Sequence, residues 1–170
     1  GTVQINDTSP TQAQALVAAN MFTDADLPID LAGTGVPVQI VYNYQWQRSN
    51  NINDANPTWA NIGGATNATY TPVAGTPANG DTYNDADNPG ANRLDTAIRV
   101  RVRYVDGQGT DEEVFSAPTG RIGINFVGGA GADVVAAVGP TVATPYDDWL
   151  QGNGGADTLN GRGGKDRIEG

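Results

Sequence analysis

The residues best suited to chemistry are glycines and aspartates that recur every nine residues near the end of the chain. Residues 128–136, 152–160 and 161–169 fit the pattern G-G-x-G-x-D-x-U-x, in which U is apolar, with Asn153 and Arg162 replacing the second glycine in the last two. Carboxylate and carbonyl oxygens are the ligands that calcium prefers, and glycine allows backbone angles that other residues resist. A composition rich in glycine and acids and free of histidine therefore favours an oxygen-ligated hard cation, calcium above all.

The overall composition excludes most catalytic chemistry. The chain has 170 residues, a net charge of −10, and neither histidine nor cysteine. It cannot by itself build a Ser-His-Asp or Cys-His nucleophile, an imidazole-bound zinc site, a disulfide or an iron–sulfur cluster. The acidic balance argues against nucleic acid as a partner, because a phosphate backbone needs clustered cations, and no apolar run reaches the roughly 18–20 residues of a membrane-spanning segment. We predict that the chain itself is not an enzyme.

The nonapeptides resemble the RTX (repeats-in-toxin) array, which folds as a calcium-bound parallel β-roll. Residues 148–151 look like the back half of a further, degenerate repeat. The resemblance implies Ca²⁺ as the bound ion, six-residue turns whose carbonyls and aspartate face it, and three-residue strands whose apolar member enters the roll. Those apolar members are Val135, Leu150, Leu159 and Ile168. The implied metal-binding residues are Gly128, Gly129, Gly131, Asp133, Asp148, Gly152, Gly155, Asp157, Gly161, Gly164 and Asp166.

The length of one coil predicts which turns share an ion. Each coil of such a roll takes two nonapeptides, so partner turns lie two repeats apart in the sequence. Asp148 and Asp166 have this spacing and are predicted to share one ion, whereas Asp157 would need partners at 139, which is a glycine outside the pattern, and at 175. Terminal coils without neighbours are expected to fray, so residues 125–170 are expected to be partly disordered in this piece. The alternative is a flexible Gly/Asp-rich linker.

The first 124 residues read as short strands separated by turns. In residues 97–104 an apolar face from Ile98 to Tyr104 alternates with three arginines, which indicates an antiparallel sheet packed on one side. Residues 11–20 allow a short helix, although a strand fits their neighbours better. A turn at 106–109 is predicted to form a hairpin. Further strands are predicted at Thr2–Ile5, Ala15–Ala19, 36–47, 58–62, 68–73 and 113–116.

Four segments of this region resemble, in order, the Ig-like modules of large bacterial surface and secreted proteins. The resemblance implies a sandwich of about seven strands, with Trp46 as its core tryptophan and Tyr104 close to the tyrosine-corner position. The inter-sheet cysteine pair is absent. The matching segments are 44–49, 58–72, 99–110 and 112–119.

Three further features admit a functional and a structural interpretation. The ladder Arg99, Arg101 and Arg103 could bind acidic glycans, or it could be a solvated face offset by Glu113 or Glu112, which we favour. Trp46 is predicted to pack in the core rather than stack on a sugar, and Trp59 is left open. The acidic loops around 24–30 and 81–87 could hold additional calcium, but turns rich in aspartate and asparagine look the same without metal.

We therefore predict an all-β chain, with an Ig-like antiparallel sandwich at 1–124 followed by the start of an RTX-type parallel β-roll at 125–170. We expect it to be part of a longer protein, as a structural or interaction module of a large secreted or cell-surface bacterial protein. The family resemblance suggests type I secretion. Its expected partners are calcium, other domains of the parent and cell-surface components. The alternatives are an accessory region of a secreted RTX enzyme (haem-peroxidase-like or protease) and an adhesin module that binds glycan or protein.

Overall fold

The computed structural model describes residues 1–22, 40–49, 51–72, 96–107, 109–135 and 146–170. Over these ranges all regular structure is β and no helix occurs, which confirms the predicted class. The strands in chain order are β1 (Thr2–Ile5), β2 (Leu16–Met21), β3 (Asn43–Ser49), β4 (Ala60–Asn61), β5 (Thr69–Tyr70), β6 (Ala97–Val105), β7 (Asp111–Phe115), β8 (Asn125–Val127), β9 (Val134–Val135), β10 (Trp149–Gln151), β11 (Thr158–Leu159) and β12 (Arg167–Glu169). No described residues form a helix of the length and apolarity that a membrane crossing requires.

Strands β1 to β7 form two antiparallel sheets that share one hydrophobic core. The sheet orders are β1-β2-β5 and β4-β3-β6-β7. Leu16 from the first sheet and Trp46, Val100 and Val102 from the second are fully buried in the same cluster. The Trp46 indole Nε1 donates to the Asn67 carbonyl at 2.9 Å, so its one polar atom is satisfied inside the core. The predicted packing role of Trp46 is confirmed.

Strand β6 follows its sequence pattern closely. Its even-numbered residues from Ile98 to Tyr104 are buried, and its arginines lie on the opposite face. It pairs antiparallel with both β3 and β7. The predicted hairpin to β7 forms, with the Asp106 backbone N–H donating to the Thr110 carbonyl at 2.9 Å. Within residues 11–20, for which a helix was the alternative, strand β2 begins at Leu16.

Strands β8 to β12 form two small parallel sheets. Successive strands alternate between them, so that β8, β10 and β12 pair in one sheet and β9 and β11 pair in the other. Val135 and Leu150 are fully buried between the sheets, with Leu159 packed against them. Ile168 differs from the prediction, because 49% of it is exposed. It lies in β12, at the edge of its sheet, where packing comes from one side only.

The segment 121–124 joins the antiparallel sheets directly to the parallel ones. Ile122 belongs to the first core and Ile124, two residues later, to the second. Gly123 lies beside Thr11 and exchanges backbone hydrogen bonds with Gln12 and Pro10, both at 3.0 Å. The first parallel strands are therefore built on a segment that the antiparallel region already fixes.

Candidate metal centre

The glycine- and aspartate-rich turns connect the strands of one parallel sheet to those of the other. Turns 128–133 and 152–157 both lead from the β8/β10 sheet to the β9/β11 sheet, whereas turn 161–166 leads back to β12. The first two turns stack, because the Gly154 backbone N–H donates to the Gly129 carbonyl at 3.2 Å. The Asn153 side-chain amide also donates to the Gly128 carbonyl at 2.8 Å.

Three of the four aspartates bond to the backbone of the neighbouring coil, whereas Asp133 Oδ2 accepts the Gly129 N–H of its own turn at 2.7 Å. Asp157 Oδ1 accepts the Asp133 backbone N–H at 3.0 Å, and Asp166 Oδ1 accepts that of Asp148 at 3.1 Å. Asp148 Oδ1 in turn accepts the Ile124 backbone N–H at 2.8 Å. The same contact therefore occurs three times, and it sets each of these three carboxylates at the boundary between consecutive coils.

The structure corrects the predicted neighbour of Asp157. Thr158 pairs with Val134, so the preceding coil places Asp133, 24 residues earlier, beside Asp157. The prediction of a partner at 139 assumed that every coil takes two repeats, and residue 139 lies outside the described ranges. The two-repeat spacing does hold between β10 and β12, where Trp149 pairs with Arg167. The coil between Asp133 and Asp157 is thus longer than the repeat requires.

The first glycine of each repeat makes room for the aspartate of the same repeat. A Cβ on Gly128 would stand 2.5 Å from Asp133 Oδ2, and those on Gly152 and Gly161 would lie even closer to the Oδ2 atoms of Asp157 and Asp166. A Cβ at these positions would therefore force the aspartate side chain to shift, and at Gly128 the Gly152 carbonyl as well. The fixed separation of glycine and aspartate within the motif follows from this contact.

The glycine at the fourth position serves a different purpose. Gly155 and Gly164 have φ angles of 121° and 109°, which side chains with a Cβ rarely adopt. A Cβ on Gly155 would also collide with the backbone of Gly131, and one on Gly164 with that of Tyr146. Here the glycine lets the backbones of two turns approach each other.

Gly129 and Gly131 have no such constraint. A Cβ on either residue would meet no atom within 4 Å. The counterparts of Gly129 at the second position, Asn153 and Arg162, adopt the left-handed conformation with φ of 66° and 64°. Asparagine tolerates this conformation well, whereas a long side chain such as that of arginine adopts it at a cost.

Two polar residues outside the predicted site also hold the turns together. Asp147 Oδ1 accepts the Lys165 backbone N–H at 2.7 Å, and Glu169 bonds to Gln151 and Arg167. The hydrogen bonds from Gln151 and then Arg167 lower the pKa of Glu169. Asp147 and Lys165 are 18 residues apart, which is the two-repeat spacing that could have identified this contact.

The donor set suits a hard cation, but the carboxylates alone do not form a metal site. Within the described ranges no three Asp or Glu side chains gather at one point. The chain has no histidine or cysteine, so only oxygen ligands are available, as calcium requires. Because Asp133 and Asp157 bring two carboxylates to one pair of stacked turns, the remaining oxygens would have to be backbone carbonyls of those turns. The residues present fit calcium on these terms.

The remaining predicted sites have different outcomes. Glu113 lies across from Arg103 and accepts a hydrogen bond from its Nε at 2.6 Å, so the predicted offset of the arginine ladder by this residue is confirmed. Glu112 is wrong for that role, because it lies opposite Tyr104, whose side chain is buried. The acidic loops around 24–30 and 81–87 lie outside the described residues.

Comparison with known proteins identifies the repeats. No curated protein and no solved structure matches the chain. A family model described as the RTX calcium-binding nonapeptide repeat (4 copies) matches residues 142–170, which include the degenerate repeat and the two contiguous ones. This match supports RTX-type calcium-binding repeats over residues 142–170, and turn 128–133 lies outside it.

Proposed function

We propose that residues 125–170 form the start of an RTX-type β-roll that binds Ca²⁺ between turns 128–133 and 152–157. The observation that carries this proposal is the stacking of these two turns, each of which has the first and fourth glycines and the aspartate of the motif. Asp133 and Asp157 would supply carboxylate oxygens, and the turn carbonyls would supply the others. When bound, calcium would neutralise the paired carboxylates and fix two turns that are otherwise joined by a few hydrogen bonds.

The Asp148–Asp166 pair is the second candidate for an ion. Turn 161–166 has the required glycines, but the turn before Asp148 lacks them. Asp148 is only 1% exposed, and one of its oxygens accepts the Ile124 backbone N–H. Because Asp157 Oδ1 makes the same kind of contact, the two pairs differ in the glycines of their turns and not in this hydrogen bond. The first pair of turns therefore offers the better-lined site.

The rest of the chain supports a structural role. We propose that residues 1–124 form an Ig-like sandwich. The observation that supports this is the pair of antiparallel sheets packed around Trp46. Together with the repeats this sandwich would act as a non-catalytic structural or interaction module of a secreted or cell-surface bacterial protein, exported by type I secretion. We expect a weak calcium affinity, with a Kd around 10⁻⁴–10⁻³ M. At the low calcium concentration of the cytosol the repeats would stay unfolded, and at the millimolar concentration outside the cell they would bind calcium and fold.

Paired aspartate substitutions test the proposed position of the ion. Asparagine keeps an oxygen for the N–H of the neighbouring coil but removes the negative charge. We expect Asp133→Asn with Asp157→Asn to weaken calcium binding, measured by calorimetric titration, by at least about tenfold, since each charged ligand contributes more than about 1 kcal/mol. The matched control, Asp148→Asn with Asp166→Asn, removes the same charge and should weaken binding less. An equal or larger loss in the control would place the ion elsewhere.

A further inference from the structure

The outer face of the four-stranded sheet carries a cleft beside the β6–β7 hairpin. Its volume is about 710 Å³, and its polar lining includes Asn43, the two arginines Arg101 and Arg103, and the three acids 111–113. This volume is in the range of small-molecule sites and accommodates one or two sugar rings. The cleft lies on the antiparallel region, away from the glycine-rich turns, so it is independent of the proposed calcium site.

Two of the three arginines on this face have hydrogen bonds or ring contacts with neighbouring side chains. The Arg99 guanidinium lies 4.3 Å from the ring centre of Trp59 and 4.2 Å from that of Phe115, and its Nε donates to Gln47 Oε1 at 2.8 Å. Burial lowers the pKa of Arg99, and the charge of Arg101 lowers it further. Arg103 donates to Glu113. These contacts account for both side chains without a ligand.

Arg101 is the arginine that the fold leaves unsatisfied. Among the described residues its Nε is buried without a hydrogen-bond partner. Its Nη1 lies 3.7 Å from Glu113 Oε1, which is longer than a hydrogen bond, and this oxygen already accepts from Arg103 at 2.6 Å. A buried donor without an acceptor is costly. A carboxylate is the group that best satisfies a guanidinium, and because the Nε is enclosed by protein atoms, a ligand in the cleft would reach Arg101 through its Nη atoms.

The acidic residues of the cleft restrict what else the ligand carries. Asp111, Glu112 and Glu113 all line the cleft; they are acceptors when ionised and would repel a simple anion. A ligand that combines a carboxylate with hydroxyl donors would satisfy both kinds of group. We infer that the cleft binds a sugar acid, with the carboxylate on Arg101 and hydroxyls toward Asp111 and the Asn43 amide.

A titration of the whole chain followed by backbone NMR tests this inference. The probe is galacturonic acid, compared at constant free calcium with galactose, which has the hydroxyls alone, and acetate, which has the carboxylate alone. We expect saturable shifts at residues 43–45 and 101–105 with galacturonic acid, and affinities at least about tenfold weaker for the two controls. No saturation at about 50 mM, well above a millimolar Kd, or equal binding of galactose, would overturn it.

Substitutions assign the binding to Arg101. Arg101→Gln should weaken galacturonic acid binding about tenfold or more, whereas Arg167→Gln, which removes the same charge from an exposed side chain in β12, should leave it unchanged. Glu113→Gln keeps both cleft arginines and removes a competing acceptor, so it should tighten binding about threefold. This variant keeps the inference testable if Arg101→Gln does not fold. Weaker binding in Glu113→Gln, or unchanged binding in a folded Arg101→Gln, would contradict the inference.

Discussion

At the scale of single residues, the glycines of one repeat are not equivalent. The first glycine leaves space for the aspartate of its own repeat, as in Gly152 against Asp157, and the fourth leaves space for the backbone of the neighbouring turn, as in Gly155 against Gly131. The two glycines of the motif are therefore needed for two separate contacts, one with the aspartate of the same repeat and one with the backbone of the neighbouring turn. The side chain of Asp157 cannot move aside freely, because its Oδ1 is bonded to the Asp133 N–H.

This difference predicts unequal effects of alanine at two glycines. Gly152→Ala should push the Asp157 carboxylate off its partner and destabilise the repeats by about 1–3 kcal/mol, as overpacking does. Gly129→Ala is the matched control, since a Cβ there meets nothing within 4 Å, and it should cost less than about 0.5 kcal/mol. Urea unfolding in calcium, monitored on the repeats, gives both values. Similar losses in the two variants would show that the contact with Asp157 does not constrain the turn.

The positive φ of Arg162 predicts that glycine is better at this position. Arg162→Gly should stabilise the repeats by about 1 kcal/mol, because an arginine in the left-handed conformation carries a penalty that glycine lacks. Asn153→Gly should gain less, since asparagine tolerates the same conformation. Thermal unfolding in excess calcium measures both changes. A loss of stability in Arg162→Gly would mean that the Arg162 side chain contributes more than its backbone costs.

At the scale of elements, the parallel strands are short and depend on a small core. β9 and β11 have two residues each, so most of their stability comes from Val135 and Leu150 between the sheets. Both side chains are fully buried, and each contributes roughly 1.5–3 kcal/mol by leaving water. Few other apolar side chains support this part of the molecule.

This small core predicts a large effect from one truncation. Leu150→Ala should destabilise the repeats by about 2–5 kcal/mol, as buried leucine truncations do, and should raise the calcium concentration needed to fold them. Val134→Ala shortens a side chain of β9 that is 55% exposed and should have little effect. Circular dichroism during calcium titration compares the two. Equal calcium midpoints in both variants would show that the Leu150 core does not hold the coils together.

The elements show what could be predicted from sequence and what could not. The alternation from Ile98 to Tyr104 predicted both the strand and its buried face, because period two is a local property. Glu113 and Glu112 could not be told apart, since which one faces Arg103 depends on the register of β7. The spacing rule missed the Asp133–Asp157 pair because it assumes equal coils. The stacking of Arg99 between Trp59 and Phe115 joins residues from three separate segments, which no local pattern encodes.

At the scale of the whole molecule, the repeats begin on a fixed base. Residues 121–124 connect the two cores, and Ile124 donates its backbone N–H to Asp148 while its carbonyl accepts that of Trp149 at 2.9 Å. The antiparallel region thus supplies one end of the parallel sheets, in the way that capping units end repeat arrays. The proposed dependence on calcium should therefore be confined to the repeats, and the antiparallel region should fold without it.

Hydrogen exchange of the backbone amides, measured in about 10 mM calcium and in excess chelator, tests this account most directly. The calcium concentration is chosen well above the affinity range of extracellular modules. We expect the amides of β9 to β12 to be protected in calcium and to exchange freely in chelator, because bound metal is coupled to folding. The amides of β3 and β6 should be protected equally in both. Identical protection of β9 to β12 in the two conditions would contradict a calcium-dependent roll, and loss of protection in β3 and β6 would contradict an independent sandwich.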